Sequence, residues 1–337
     1  MNLSAPSAFL RGLPKAELHL HLEGAVEPET LLELRLRHGV VDADLASCEA
    51  LYHYADFQAF LMAFKAVTEH LRSPEDYELI TYRLMERLQA ENVLHAEVFV
   101  SVGVCLWRSQ DFAPLFEGME RGRERGSRDF GVSLLWIFDA VRHFGAEPAQ
   151  RVAELAVQYQ HRNVIAFGIG GDESRGAPEL FREVYAFAAD QGLHLTAHAG
   201  ETTSPESIWG ALNLGAERLG HGLTAAQDPE LLEELAQRQI PVEICMTSNV
   251  LTGACRLEDH PVRQYFEHGL MLTLNTDDPA MFRTSLNREY AIAQKVFGFS
   301  EEQLRELARN SFEASFLDAE QKVKMLDRFD AKAATFK

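Results

Sequence analysis

The first strong strand candidate in the chain is the segment PKAELHLHLEG, residues 14–24, in which two histidines alternate with leucines. Residues i and i+2 of a strand point to the same side, so His19 and His21 project together. The leucines predict that this strand is buried, where imidazoles need polar partners. The arrangement suits two ligands of one metal ion, although such a pair alone is also compatible with ordinary core or surface histidines.

Seven further short apolar segments follow, and longer segments with helical spacing separate them. The predicted strands cover residues 16–21, 93–100, 132–138, 164–169, 193–198, 218–221, 241–245 and 271–276. The predicted helices cover residues 28–38, 74–91, 112–125, 148–160, 178–191, 205–213, 229–239 and 261–268. Many of these helices have a proline in their first turn, a position that proline favours. Strands that alternate with helices predict an α/β fold, a (β/α)8 TIM barrel, with a doubly wound open sheet as the alternative.

Two regions depart from this alternation. Residues 52–71 follow the first strand–helix unit and predict an extra helical segment. Four apolar residues of this segment recur at near-helical spacing: Phe57, Phe60, Leu61 and Phe64. We interpret them either as ordinary packing or as an apolar lid over a pocket beside the first strand. Residues 285–329 predict additional C-terminal helices, and residues 1–337 are expected to form a single domain because no linker or repeat interrupts them.

The charge and the cysteines restrict the class of protein. The chain has 32 Lys and Arg against 51 Asp and Glu, which gives a formal net charge of −19. Such a chain repels phosphate backbones and anionic lipids, so we expect neither a nucleic acid nor a membrane partner. The four cysteines form no CxxC pair, and the first residues contain no apolar segment typical of a signal peptide. A cytoplasmic protein with reduced thiols is therefore expected, of an oligomeric state that the sequence does not predict.

Further polar residues stand where the predicted strands end, the face on which TIM barrels build their active sites. His198 ends the fifth strand and Glu201 follows it. His221 lies between two glycines at the end of the sixth strand, and Asp277 and Asp278 follow the eighth. Adjacent residues of a strand point to opposite sides, so we expect one aspartate to bind metal and the other to contact substrate. Three imidazoles and one carboxylate suit a catalytic Zn²⁺, with Fe²⁺ or Mn²⁺ as alternatives.

Taken together, these motifs resemble the adenosine deaminase family, within the amidohydrolase superfamily of metal-dependent TIM barrels. They occur in the family's order at residues 14–24 (PKAELHLHLEG), 171–173 (GDE), 198–201 (HAGE), 220–222 (GHG), 247–249 (TSN) and 275–279 (NTDDP). The match spans most of the chain, and the combination is highly specific. The resemblance implies a hydrolytic deaminase with one Zn²⁺ per chain.

The resemblance also implies a role for each matching residue. The expected metal ligands are His19, His21, His198 and Asp277. Glu201 matches the acid that protonates purine N1, and His221 matches the base that orients and deprotonates the attacking water. Asp278 matches the acid that meets N7, and the backbone N–H of Gly171 matches the group that meets N3. Glu23 occupies the position of a residue that contacts the ribose 5′-hydroxyl.

The implied substrate is an adenine nucleoside, adenosine or 2′-deoxyadenosine, whose 6-amino group is replaced by oxygen with release of ammonia. Glu23 stands where typical adenosine deaminases carry aspartate, and adenine deaminases of the family also show glutamate there. Adenine itself and a 5′-modified adenosine, such as 6-amino-6-deoxyfutalosine of the menaquinone pathway, are therefore alternatives. Asp139 and Arg142, at the end of the third strand, form either a surface ion pair or contacts to such an extension.

The same barrel also supports binuclear hydrolases and non-catalytic relatives. Most binuclear relatives need a carboxylated lysine at the end of the fourth strand, where this chain has Gly170 and Gly171. A non-catalytic relative would be free to lose Glu201 or His221, and this chain has both. The residues therefore favour a mononuclear deaminase over these two alternatives.

Overall fold

The structure is a computed structural model that describes residues 5–54 and 56–333. The ends of the expected single domain, residues 1–4 and 334–337, lie outside the described residues, as does residue 55 of the predicted lid segment. Within the described ranges, eight strands form the centre of the protein. They are β1 (Lys15–His21), β2 (Val93–Val100), β3 (Ser133–Val141), β4 (Val164–Gly170), β5 (His194–Ala199), β6 (Arg218–His221), β7 (Val242–Ile244) and β8 (Leu272–Leu274).

The strands pair in parallel and in chain order, from β1 to β8. Their residues are buried almost throughout, as expected for parallel strands that are covered by helices. Asp277, just after β8, returns to the first strand: Leu20 and Asp277 form a parallel bridge, and the His21 N–H donates to the Asp277 carbonyl at 2.8 Å. The sheet is thus a nearly closed barrel, which confirms the (β/α)8 TIM barrel, and the open-sheet alternative is wrong.

Helices surround this barrel. In the described part of the chain they are α1 (Ala8–Gly12), α2 (Pro28–Arg37), α3 (Leu45–Ala50), α4 (Phe57–Thr68), α5 (Pro74–Ala90), α6 (Val102–Trp107), α7 (Phe112–Phe130), α8 (Ala146–Tyr159), α9 (Arg182–Asp190), α10 (Pro205–Asn213), α11 (Pro229–Arg238), α12 (Met246–Leu251), α13 (Val262–Glu267), α14 (Leu286–Val296), α15 (Glu301–Glu313) and α16 (Ala319–Ala333). Short 3-10 helices cover Glu23–Ala25, Arg142–Phe144, Gln160–Arg162, Glu173–Arg175, Pro178–Phe181, Leu223–Gln227 and Leu257–Asp259. Four of the α-helices, α2, α5, α10 and α11, begin with proline, as their sequences predict.

The structure confirms both departures from the simple alternation. The first is α4, which begins after Asp56, whose side chain accepts a hydrogen bond from the Ala59 N–H at 2.8 Å. Within α4, the Phe60 ring is buried and stacks on Phe282 at 4.9 Å between centroids. The second is the C-terminal set α14 to α16, in which Ser311 of α15 accepts a hydrogen bond from the backbone of Ala16 in β1.

No helix of the described ranges has the length and the apolar character that a bilayer crossing requires. The four cysteines are all free thiols.

Candidate active site

Four side chains from three places in the barrel meet at its C-terminal face. His19 and His21 lie in β1, His198 lies in β5, and Asp277 follows β8. One ligand atom of each lies within 4.8 Å of those of the other three. The closest approaches are 3.2 Å between the Nε2 atoms of His21 and His198, and 3.3 Å between His21 Nε2 and Asp277 Oδ1. The structure therefore brings together all four residues that the sequence nominates as metal ligands.

The chemistry of this cluster fits a metal ion. His19 Nε2 is buried, lies 3.5 Å from Asp277 Oδ1 and makes no hydrogen bond to any described residue, so it needs another partner. Burial lowers the pKa of His21 to about 4 and that of His198 well below its usual range, which keeps both imidazoles in the neutral form that binds metal. For His19, burial lowers the pKa but Asp277 and Glu243 outweigh it and raise the pKa to about 10. A cation at Nε2 would replace that proton.

The buried carboxylate of Glu243 contacts the ring nitrogen of His19 that faces away from the cluster. Glu243 Oε2 lies 2.7 Å from His19 Nδ1, and Arg218 Nε lies 2.5 Å from the other oxygen of the same carboxylate. Burial opposes ionisation of Glu243, but Arg218 and His19 outweigh it and keep its pKa below the usual range. Sequence reasoning missed both Glu243 and Arg218. The signal was an acidic residue between Val242 and Ile244 in a strand that is otherwise apolar.

Two more of the clustered side chains have fixed orientations. His198 Nδ1 donates to the carbonyl of Ile169 at 2.9 Å, which directs Nε2 into the cluster. Asp277 Oδ2 accepts a hydrogen bond from the Ser248 hydroxyl at 2.6 Å, which leaves Oδ1 facing the histidines. Asp277 also has a φ of 66°, a left-handed conformation that is rare outside glycine and is found where surrounding structure enforces it.

Glu201 and His221 stand beside the cluster, with 3.7 Å between Glu201 Oε2 and His221 Nε2. Burial, and then the charges of Asp277 and Glu173, raise the pKa of Glu201 to about 8. Burial lowers the pKa of His221 to about 4. At neutral pH the pair therefore consists of a protonated acid and an unprotonated base, the combination that general acid–base catalysis requires.

A short polar chain orients His221. Its Nδ1 forms a 3.0 Å hydrogen bond with the side-chain amide of Asn249, and the same amide forms a 3.2 Å hydrogen bond with His260 Nε2. His260 is buried. Sequence analysis assigned no role to His260, because it lies outside the family motifs and beyond the predicted strands.

Glu173 organises the loop that carries Glu201. Its carboxylate accepts hydrogen bonds from four successive backbone N–H groups and from one hydroxyl. The donors are Gly200 N, Glu201 N, Thr202 N, Thr203 N and Ser207 Oγ, at 2.5 to 3.3 Å. Glu173 belongs to the GDE string quoted above, but its spacing gave no indication of this contact.

The predicted substrate contacts differ in where they lie relative to the cavity: Asp278 and Gly171 line it, whereas Glu23 does not. Asp278 Oδ1 is buried and has no hydrogen-bond partner among the described residues, and burial raises the pKa of this aspartate well above its usual range. Gly24 leaves room for it, since a Cβ atom there would lie 1.7 Å from Asp278 Oδ1. Gly171 lines the cavity with a φ of 90°. Glu23 is buried beneath the lining and accepts a hydrogen bond from the backbone of Ser101, and it is Ser101 that lines the cavity.

Asp139 and Arg142 are both buried, so the prediction of a surface ion pair is wrong. Arg142 donates to the carbonyl oxygens of His198 and Gly176 and so braces the end of β5. Asp139 lines the cavity, and its Oδ1 makes no hydrogen bond to a described residue.

The cluster opens into a cavity of about 380 Å³. Its inner wall is polar and includes His221, Glu201 and Asp278, whereas its outer wall comes largely from apolar residues of α4 and α6. The volume and the mixed lining are typical of a site for a small organic molecule. The α4 residues Phe57, Leu61 and Phe64 line this cavity, which supports the interpretation of α4 as a cover over the site.

Comparisons with known proteins agree with this geometry. The family model of adenosine deaminase matches residues 14–332. The chain is 39% identical over 335 residues to the aminodeoxyfutalosine deaminase of Streptomyces coelicolor, covering 98% of this chain and 87% of that protein.

Solved structures give the same picture. The adenine deaminase from Arthrobacter aurescens aligns with a TM-score of 0.89 and 31% identity, over 95% of this chain and 98% of that chain. An amidohydrolase from Burkholderia ambifaria with bound zinc aligns with a TM-score of 0.88 and 28% identity, over 99% of this chain and 96% of that chain. With the family model and these relatives, the chain belongs to the adenosine deaminase family and is a hydrolytic deaminase that acts on C–N bonds.

Proposed function

We propose that the protein is a zinc-dependent deaminase that converts the 6-amino group of an adenine nucleoside, adenosine or 2′-deoxyadenosine, to the 6-oxo form with release of ammonia. The observation that carries the proposal is the meeting of His19, His21, His198 and Asp277 with Glu201 and His221 beside one cavity. Deamination of this kind needs a nucleophile, an acid and a base around a single ring carbon. The inner wall of the cavity supplies Glu201 as the acid and His221 as the base, beside the residues that would hold the metal that supplies the nucleophile.

The proposed zinc ligands are His19, His21, His198 and Asp277, one ion per chain. Three nitrogens and one carboxylate oxygen form a donor set that zinc accepts in catalytic sites, and the amidohydrolase from B. ambifaria was solved with zinc. When bound, zinc lowers the pKa of a water molecule to about 7 and so supplies a nucleophile near neutral pH. Glu243 supports the set by holding the tautomer of His19.

Glu201 and His221 divide the proton transfers between them. Glu201, protonated at neutral pH, gives its proton to purine N1, which makes C6 electrophilic. His221 takes a proton from the water whose oxygen bonds to C6 and passes it to N6, so that the C6–N6 bond breaks and ammonia leaves. The remaining hydroxyl proton returns to Glu201 as the 6-oxo group forms. A positioned acid of this type typically contributes about 10²–10⁴-fold to the rate.

Two further groups orient the base in this proposal, and a third acts on the sugar side. Asp278, whose pKa burial raises well above its usual range, meets N7. The Gly171 N–H donates to N3. Glu23 accepts a hydrogen bond from the Ser101 N–H and does not line the cavity. In this proposal it affects the sugar by holding Ser101 in position at the cavity wall.

Relatives of the chain are named for two other substrates. The Streptomyces relative is named for aminodeoxyfutalosine and the Arthrobacter relative for adenine, so a 5′-modified adenosine and adenine are the alternatives. The cavity extends well beyond the polar wall that would hold the base, and this favours a nucleoside over free adenine. The proposed working unit is the whole chain, as one catalytic domain. We place it in the cytoplasm, where its free thiols would remain reduced.

A substrate panel tests this function. The loss of adenine absorbance is followed with adenosine, 2′-deoxyadenosine, adenine, 5′-deoxy-5′-methylthioadenosine and aminodeoxyfutalosine, and zinc is measured in the same purified protein. We expect about one zinc per chain and turnover of at least one nucleoside. Turnover of adenine alone would contradict the nucleoside assignment, and a protein that deaminates no member of the panel would contradict the proposed function.

A further inference from the structure

The interior of the barrel holds three charged side chains, none of which lines the cavity. We call Glu97, Arg218 and Glu243 the ion network. Arg218 is its centre, since its Nε lies 2.5 Å from Glu243 and its Nη1 donates to Glu97. All three side chains are fully buried. Because Glu243 also contacts His19 Nδ1, a continuous path of polar contacts leads from Glu97 to a proposed metal ligand.

The charges of the ion network leave one carboxylate in excess. Burial opposes ionisation of Glu97, but Arg218 outweighs it and lowers the pKa of Glu97 to about 2, and His95 Nε2 lies 3.2 Å from the same carboxylate. Two carboxylates therefore share one guanidinium. Glu243 keeps negative charge that faces His19, and a hydrogen bond to a charged acceptor is stronger than one to a neutral acceptor.

The segment between α15 and α16 holds the far end of the ion network. The Phe316 N–H donates to Glu97 Oε1 at 2.6 Å, and the Ala314 carbonyl accepts from Arg218 at 3.2 Å. The centre of the Phe316 ring lies 3.9 Å from the guanidinium carbon of Arg218 and 4.3 Å from the centre of the His194 ring. Arg218 and His194 are the first residues of β6 and β5, whose other ends face the metal-binding cluster. This segment therefore closes the barrel on the face opposite the cavity.

Stability alone gives a poor account of the ion network. Burial of three charged groups is costly, and well-packed apolar residues often replace such groups without loss of stability. A metal-binding imidazole, in contrast, gains basicity and a fixed orientation from an acid at its other nitrogen. The contact between Glu243 and His19 places the ion network in that position.

We propose that Glu97 is a positioning residue of the metal site and that it acts on His19 through the rest of the ion network. This inference rests on the proposed function, because it takes His19 as a zinc ligand. Residues 314–316 hold Glu97 and Arg218 in place. Without a carboxylate at position 97, Arg218 would have Glu243 as its remaining acidic partner and would draw its charge away. His19 would then be a weaker zinc ligand.

Two substitutions at position 97 separate charge from shape. Glu97→Gln keeps the shape and removes the charge, and it leaves Arg218 and Glu243 as a balanced pair, which favours folding. Glu97→Asp keeps the charge and shortens the side chain. Competition with a chromophoric chelator gives the zinc dissociation constant, and the visible absorption spectrum of the cobalt(II)-loaded protein reports the ligand geometry.

Glu97→Gln should raise the zinc dissociation constant about tenfold and shift the cobalt spectrum, because partners behind metal ligands typically contribute 10–100-fold to affinity. Glu97→Asp should raise the dissociation constant less than Glu97→Gln does. A role of Glu97 in packing alone predicts the opposite order of the two variants.

Matched controls lie outside the ion network. Glu120→Gln neutralises a buried acid of α7 that accepts a hydrogen bond from the Trp136 indole, and zinc affinity should be that of the unmodified protein. Phe316→Leu keeps apolar bulk but removes the ring beside Arg218, and should raise the dissociation constant about threefold. Phe329→Leu, at a buried ring of α16, should not. The free energy of unfolding is measured for every variant.

The outcomes distinguish this inference from the proposed function. Unchanged zinc affinity in Glu97→Gln, or a larger effect of Glu97→Asp, would overturn the inference while turnover by the unmodified protein still supported a deaminase. If Glu97→Gln fails to fold, equal zinc affinity in Phe316→Leu and Phe329→Leu would overturn it. Zinc binding that depends on position 97 as expected, without deamination of any substrate, would overturn the proposed function and support the inference. A protein that binds no zinc would overturn both.

Discussion

Glu243 Oε2 lies 2.7 Å from Nδ1 of His19, and both side chains are fully buried. This contact fixes which nitrogen of His19 carries a proton and which nitrogen faces the cluster. Arg218 holds the other side of the same carboxylate, and its guanidinium carbon lies 3.9 Å from the centre of the Phe316 ring. The orientation of a proposed metal ligand in the first strand is thus set by residues of β6 and β7, which follow it by about 200 positions or more in the chain.

Glu243→Gln should therefore weaken zinc binding. The amide removes the negative charge behind His19 and leaves Arg218 without one of its acidic partners, and substitutions behind metal ligands typically lower affinity about 10–100-fold. Competition with a chromophoric chelator measures the change. The exposed Glu233→Gln in α11 is the control, and equal zinc retention by both variants would contradict the prediction.

Glu201→Gln should keep its zinc and lose most of its activity. The amide preserves the shape of the side chain but has no acidic proton, so kcat should fall by about 10²–10⁴-fold. Zinc content and kcat are measured on the same preparation. Near-normal turnover would remove Glu201 from the mechanism.

The activity of the unmodified protein should fall at high pH. Burial raises the pKa of Glu201 to about 8, so the acid form is present below that pH and is lost above it. We therefore expect kcat/KM for adenosine to decline as the pH rises through about 8. A profile that stays level to about pH 10 would show that no acid of this pKa takes part.

Glu173→Gln should lower both stability and turnover. Its carboxylate accepts five hydrogen bonds from the segment that follows β5, and an amide would point an NH₂ group at some of those donors. Loss of charge-assisted hydrogen bonds to buried donors predicts a decrease of about 3 kcal/mol in the free energy of unfolding. Denaturant unfolding and kcat are measured beside Glu183→Gln, an exposed residue of α9. A loss no greater than in that control would argue against the role of Glu173.

Gly24→Ala should lower kcat/KM, because the new methyl group would displace Asp278. The new Cβ would lie 1.7 Å from Asp278 Oδ1 and 2.4 Å from its Cγ, so one of the two segments must move. A displacement of about 1 Å in a group that contacts substrate can lower kcat/KM about 10²-fold. Gly39→Ala, at a position with open space, is the comparison and should affect stability rather than turnover. Equal kcat/KM in the two variants would contradict the prediction.

The fold was largely predictable because its signals are local. The strands predicted at residues 93–100 and 218–221 match β2 and β6 at both ends, and the other six differ at either end by at most three residues. Apolar runs bounded by helical patterns decide such strands. The predicted helix at 178–191 differs in its first turns, where Pro178–Phe181 is a 3-10 helix before α9.

The ligand cluster was predictable because parallel strands end on the same face of a barrel. The supporting residues were not, since their roles depend on contacts between distant parts of the chain. Glu173 meets a hydroxyl 34 positions away, and Arg218 meets Glu97 from 121 positions away. The burial of Asp139 was not predictable for a related reason, since its place on the cavity wall depends on how the strands assemble and does not show in the local pattern.

The seam between the first and last strands runs through Asp277. Its backbone N–H donates to the carbonyl of His19 at 3.0 Å, its carbonyl accepts from His21, and its carboxylate joins the histidines. One residue thus closes the barrel and completes the donor set. During synthesis, a nascent chain holds both first-strand histidines long before residue 277 has left the ribosome. Assembly of the proposed metal site therefore has to follow translation of most of the polypeptide, and a chain truncated before Asp277 would lack one of its four proposed ligands.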